Sequence, residues 1–139
     1  MAGQIRVREV ILEEMIRHAR RESEIECCGL LAGRDGVITQ IFPTRNALAS
    51  PATYEIATLE LFQLFRRLRE EGLQHLGQYH SHLNSENFPS PRDIAQAYYP
   101  SEAYFIISLQ AGAPRPVRAF SIRDGTVQEM KIEIADAVL

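Results

Sequence analysis

The chain has 139 residues, 45% hydrophobic and 24% charged, with a formal net charge of −3 and a pI near 5.8. That is the size and composition of an ordinary globular protein, and residues 1–139 are expected to form one domain. No Lys/Arg-rich block marks a nucleic-acid footprint, no apolar run nears the roughly 20 residues that span a bilayer, and Met1 to Arg8 lacks a signal-peptide core. The two cysteines, Cys27 and Cys28, are adjacent. They form no disulfide framework, so a reducing cytoplasm is the expected compartment.

Gln4 to Arg8 alternates and predicts a first strand. From Val10 to Glu22 the apolar residues Ile11, Leu12, Met15, Ile16 and Ala19 form one helical stripe. Cys27 to Ala32 and Val37 to Phe42 read as two strands joined at Asp35-Gly36, a strong hairpin turn signal. Pro43 to Pro51 reads as a loop. Ala57 to Glu71 predicts a second helix that buries Leu61, Phe62, Phe65 and Leu68, with Gly72 as its stop. Phe62, Phe65, Tyr104 and Phe105 are all expected in the core. Leu76 to His82 predicts a strand. Ser90-Pro91-Arg92-Asp93 starts a helix, with Ser as N-cap, Pro at the first position and an acid at the third, and the helix is expected to run to about Tyr98. Ala103 to Leu109 predicts a central strand, and Arg118 to Ile122 with Thr126 to Ile134 a last hairpin about Asp124-Gly125. Strands mixed with helices imply an α/β or α+β fold, a sheet covered by helices.

The run HSHLNSENFPSPRD, residues 80–93, carries the chemistry. His80 and His82 are two apart, so on a strand they share a face. Asp93 returns to them from the helix that begins at Ser90. Two imidazoles and a carboxylate are a ligand set for catalytic zinc, with a fourth position left for water. Hydrolysis of an amide further needs a base, an acid for the leaving amine, and a donor for the oxyanion. One carboxylate can serve as base and then acid. Glu26, at the mouth of the strand that follows it, is the best placed. Glu22, Glu24 and Glu86 compete, and spacing does not choose among them. The Ser90 hydroxyl is a candidate oxyanion donor. Cys27 and Cys28 read as small buried hydrophobes, and His18 and His75 as surface residues.

Glu26-Cys27-Cys28-Gly29-Leu30-Leu31-Ala32-Gly33, then Gly77 to His82 and Ser90 to Asp93, closely resemble the JAMM (MPN-plus) metalloproteases over roughly Val10 to Leu109. The resemblance implies an α/β fold of the cytidine-deaminase-like kind, a mixed central sheet flanked by helices. It implies that His80, His82 and Asp93 bind Zn²⁺, that Glu26 is the general base and acid, and that Ser90 steadies the oxyanion. Family substrates are ubiquitin-like proteins joined through C-terminal glycines. Short bacterial members act on ubiquitin-like sulfur carriers, and others act in phage tail assembly. Two positions depart from the family pattern. Leu83 stands where proline usually follows the second histidine, so the loop from Leu83 to Phe88 is expected to be more mobile. Glu24 stands where proline commonly precedes the glutamate. Two other classes compete with the peptidase: a protein-binding module that keeps zinc without cleaving, and a zinc deaminase. The deaminase pattern of H-x-E with P-C-x-x-C is absent.

Overall fold

The computed structural model describes residues 3–136. Its elements run β1 (Gln4–Val7), α1 (Glu9–Arg21), β2 (Cys28–Arg34), β3 (Val37–Thr44), α2 (Thr58–Glu70), β4 (Gln74–His82), α3 (Pro91–Ala95), β5 (Ala103–Ser108), β6 (Val117–Arg123) and β7 (Thr126–Ile134). The strands form one mixed sheet in the order β1-β3-β2-β4-β5-β6-β7. Pairings of β4 with β5, and of β1 with β3 and β7, are parallel, and the rest are antiparallel. Because β1 pairs with both β3 and β7, the sheet closes into a barrel. The α/β class, with a mixed sheet and flanking helices, is the expected one. The closure is additional.

Strand side chains alternate between the two faces, and the core divides accordingly. On one face Leu31, Tyr79, Phe105 and Ile107 pack with Ile11, Met15 and Ala19 of α1. On the other, Leu30, Ala32 and Phe42 pack with Leu68 of α2. Beside them Tyr104, Ile106 and Phe120 meet Ile94 of α3 and Tyr99. The site lies on this second face, at the end of β4.

Turn chemistry follows the sequence. Asp35 and Gly36 both take positive φ (55° and 74°), as do Asp124 and Gly125 (50° and 77°), the pairing that a two-residue hairpin needs. Gly72, at φ 67°, ends α2. Its N–H reaches Arg69 O and that of Leu73 reaches Leu68 O, the Schellman pattern.

Five expectations need correction. Pro43 and Thr44 belong to β3, not to the following loop. Pro43 lies opposite Gly29 of β2, and β1 covers only Val37 and Ile38 of β3, so no strand flanks Pro43 on its other side. Phe62 is 60% exposed. It sits about 100° round the helix from Leu61, while Leu61, Leu64, Phe65 and Leu68 take the buried side. α3 ends at Ala95 rather than Tyr98, because the Tyr99 N–H turns away to Tyr104 Oη at 2.9 Å. His18 is buried and bridges Tyr79 Oη (2.6 Å) and the Glu22 carboxylate. His75 is nearly buried as well. An extra residue in β4 at Leu76 shifts the register against β2, which turns His75 inward. There it pairs with Glu102 at 2.5 Å and lies edge-on to Phe65.

Candidate active site

β4 brings His80 and His82 to one face and buries both. Loop 83–89 then turns the chain back to α3. The Ser90 Oγ accepts from the Asp93 N–H (3.1 Å), and the Ser90 N–H donates to Asp93 Oδ2 (2.9 Å). This capping box fixes the Asp93 carboxylate at the first turn. Asp93 Oδ2 lies 3.1 Å from Nε2 of both His80 and His82, and the two Nε2 atoms are 3.2 Å apart. Three donor atoms on three side chains thus converge where one metal ion could bind. His82 Nδ1 donates to the Glu86 carbonyl at 2.8 Å, which leaves Nε2 to offer a lone pair inward.

The electrostatics of the three side chains differ. Burial lowers the pKa of His80, with Asp93 opposing, so the ring stays neutral. For His82 burial also lowers it, but the bonds to Asp93 and the Glu86 carbonyl carry it above its usual value. Burial alone would raise Asp93; the two imidazoles beside it hold the carboxyl well below the usual carboxylate range. Asp93 is therefore an anion at every physiological pH.

Glu26 precedes β2, which runs antiparallel to β4 with Cys28 opposite His80. Its side chain is buried, and Oε1 has no hydrogen-bond partner. Burial pushes its carboxyl up to about 7, with the charge on His82 lowering it and that on Asp93 raising it. The three competing glutamates are placed differently. Glu22 is engaged by His18, Glu24 is exposed, and Glu86 points outward while its carbonyl holds His82. Burial pushes both cysteine thiols up to about 12, so neither is a nucleophile at neutral pH.

Several residues around the centre went unmarked in the sequence. Ser81, between the histidines, accepts the Cys27 N–H at 2.8 Å and ties β4 to the segment bearing Glu26. Asn46 donates to the Glu26 carbonyl (3.0 Å) and the Thr53 carbonyl (2.9 Å) and accepts from the Glu55 N–H (3.2 Å). Tyr54 lies against the His80 ring. A cavity of about 130 Å³ adjoins it, lined by Ile56, Leu61, Gln78, Gln96 and Tyr99 among others. Asn46 and Tyr54 sit in a segment with no periodicity, so only an Asn in a loop, ready to bond backbone, hinted at the first.

The family model of prokaryotic homologs of the JAB domain matches residues 8–123. The chain belongs to this family. Among its curated JAB-domain relatives is the CysO-cysteine peptidase of Mycobacterium tuberculosis, 30% identical over 132 residues, 94% of this chain and 90% of the relative. Another is a probable TtuB-protein conjugate cleaving protease of Thermus thermophilus, 38% identical over 116 residues, 83% of this chain and 74% of the relative. The solution structure of a Desulfitobacterium hafniense protein superposes with a TM-score of 0.85 at 33% identity, covering 97% of this chain and 95% of that one. This JAB-domain protein is accordingly an enzyme, a hydrolase of peptide or isopeptide bonds. No helix among its described residues is long and apolar enough to cross a membrane.

The loop that follows Leu83 makes several contacts to the rest of the fold. Ser108 Oγ holds the Ser85 carbonyl at 2.8 Å, Asn87 Nδ2 holds the Arg115 carbonyl at 2.8 Å, and Phe88 packs edge-on to Phe120.

Proposed function

We propose that the chain is one cytoplasmic, zinc-dependent peptidase domain. It hydrolyses an amide bond at the C-terminal Gly-Gly end of a ubiquitin-like or sulfur-carrier protein. The observation that carries this reading is the convergence of His80, His82 and Asp93 beside the buried, unpartnered Glu26. The substrate class is supported by the relatives, whose names specify a CysO-cysteine peptidase and a probable TtuB-protein conjugate cleaving protease.

The residues fit zinc. Four ligands at about 2.0–2.1 Å in a tetrahedron have donor–donor edges of about 3.3 Å, and the three separations here are 3.1, 3.1 and 3.2 Å. Two imidazoles and one carboxylate leave the fourth position open. When bound there, zinc supplies Lewis-acid chemistry: it acidifies water toward a pKa of about 7 and polarises a carbonyl.

The protein groups do the rest. Glu26 takes a proton from the attacking water and delivers it to the departing amine, so the amide becomes a carboxylate and a free amine. Its burial suits this double role, because a carboxyl lifted to about 7 both accepts and returns a proton near neutrality. The Ser90 Oγ uses a lone pair on the Asp93 N–H, which leaves its own O–H to donate to the oxyanion. Ser81 and Asn46 hold the Glu26 segment against β4 and the loop.

Ser90→Ala separates two roles. Loss of the cap costs about 1 kcal/mol of stability, and loss of an oxyanion donor lowers turnover about 10²–10³-fold. Thermal unfolding reads the first and kcat the second; an unchanged kcat removes Ser90 from the chemistry. The substrate class is tested with a small carrier protein extended past its Gly-Gly end. The zinc-loaded enzyme is expected to cut after the second glycine, and a chelator to stop it. Equal cutting of a carrier whose glycines are replaced by bulky residues contradicts the Gly-Gly assignment.

A further inference from the structure

Each of the three ligands must be held in one plane for its donor atom to point inward. For Asp93 the Ser90 N–H does this at 2.9 Å. For His82 the Nδ1 bond to the Glu86 carbonyl does it at 2.8 Å. A bond on the nitrogen that faces away from the metal is the usual restraint on a ligating histidine. For His80 the polar contacts to protein groups are those of Nε2 with His82 and Asp93.

The face of the His80 ring lies against Tyr54, with centroids 4.5 Å apart and planes 24° from parallel. Tyr54 is itself pinned. Its hydroxyl donates to Gln78 Oε1 at 3.3 Å, and Gln78 lies two residues before His80 on the same strand face. On either side of it, Asn46 bonds the Thr53 carbonyl and the Glu55 N–H. The loop therefore presents a rigid aromatic plate, and an offset stack is an orientation that such rings favour. The same Asn46 bonds the Glu26 carbonyl, so one side chain fastens both the plate and the segment of the base.

We propose that Tyr54 is a positioning residue for the metal, its ring setting the plane of the His80 imidazole. It acts through His80 and not on the reacting atoms. The proposal rests on the zinc reading above, and zinc affinity tests it apart from cleavage.

The experiment measures zinc dissociation constants by chelator competition for the full chain, for Tyr54→Phe and for Tyr54→Leu. Phe keeps the ring and drops the hydroxyl. Leu keeps apolar bulk and has no plane. Tyr54→Leu is expected to bind zinc about 10–100-fold more weakly, the range for loss of an outer-shell partner, and Tyr54→Phe within about threefold of wild type. The cobalt-loaded proteins give a second readout: the visible bands of Tyr54→Phe should match wild type, and those of Tyr54→Leu should shift. Equal thermal unfolding of the two variants in chelator shows that both fold. Tight wild-type binding with Tyr54→Leu unchanged overturns the proposal and leaves the zinc reading standing. Equal weakening in both variants overturns it too, because the hydroxyl rather than the ring would then matter. A wild-type protein that binds no zinc removes both.

Discussion

Glu26→Gln is expected to lower turnover about 10²–10⁴-fold, the usual worth of a positioned general base, with zinc still bound. Gln matches Glu in shape, so β2 and the ligand triangle are undisturbed, but an amide takes no proton from water. Full turnover with zinc retained would show that another group is the base. A second consequence reads the burial directly. The Glu26 carboxyl is lifted from 4.5 to about 7, first by burial, with His82 opposing and Asp93 adding. A folded pKa above the unfolded one means that the folded state holds the proton more tightly. The stability this contributes is full below about pH 4.5 and is lost as pH rises through about 7. Gln has no such loss. At pH 8 the metal-free Glu26→Gln protein should therefore be more stable than metal-free wild type by about 3–3.5 kcal/mol, the shift from 4.5 to about 7 taken at roughly 1.4 kcal/mol per pKa unit. The difference should vanish below pH 4. Denaturant unfolding at the two pH values measures it, and a wild type equal to the variant at pH 8 contradicts the buried, raised carboxyl.

Asp93→Ala and Asp93→Asn should both abolish zinc binding and cut turnover about 10³-fold or more, since the Lewis acid and its water leave together. They should differ in stability. One Asp93 oxygen faces both imidazoles and also accepts the Ser90 N–H. Asn keeps an oxygen for that N–H, so its helix start survives. Ala has none and should cost the metal-free protein about 1 kcal/mol more, the worth of a cap. Elemental analysis, kcat and thermal unfolding in chelator separate the roles. Zinc retained at wild-type level in either variant contradicts the assigned ligand.

What the sequence made legible follows the range of the interactions. His80 and His82 were readable because strand alternation is local, and Asp93 because a capping box spans four residues. The structure brings these three together as their spacing implied. Glu26 was not separable from Glu22, Glu24 and Glu86 by spacing alone, since burial depends on β2 pairing with β4, some 50 residues later. The same distance hid His18, whose partner Tyr79 is 61 residues away. His75 was misread because one extra residue in β4 reverses the faces of the strand. Closure of the sheet hinges on β1, whose four residues pair with β7 and two of which, Arg6 and Val7, also pair with β3, and no local pattern encodes that. Asn46 and Tyr54 lay in an unpatterned segment whose geometry is set by what it touches.

The most direct test of zinc catalysis is zinc content by elemental analysis of wild type and His82→Ala, purified without chelator, beside cleavage of a carrier extended past its Gly-Gly end. The result expected is about one zinc per wild-type chain, as a three-ligand site with one open position holds, with little in His82→Ala and cleavage by wild type only. Folded wild-type protein that carries no zinc, or a zinc-free His82→Ala that cleaves as well as wild type, contradicts it.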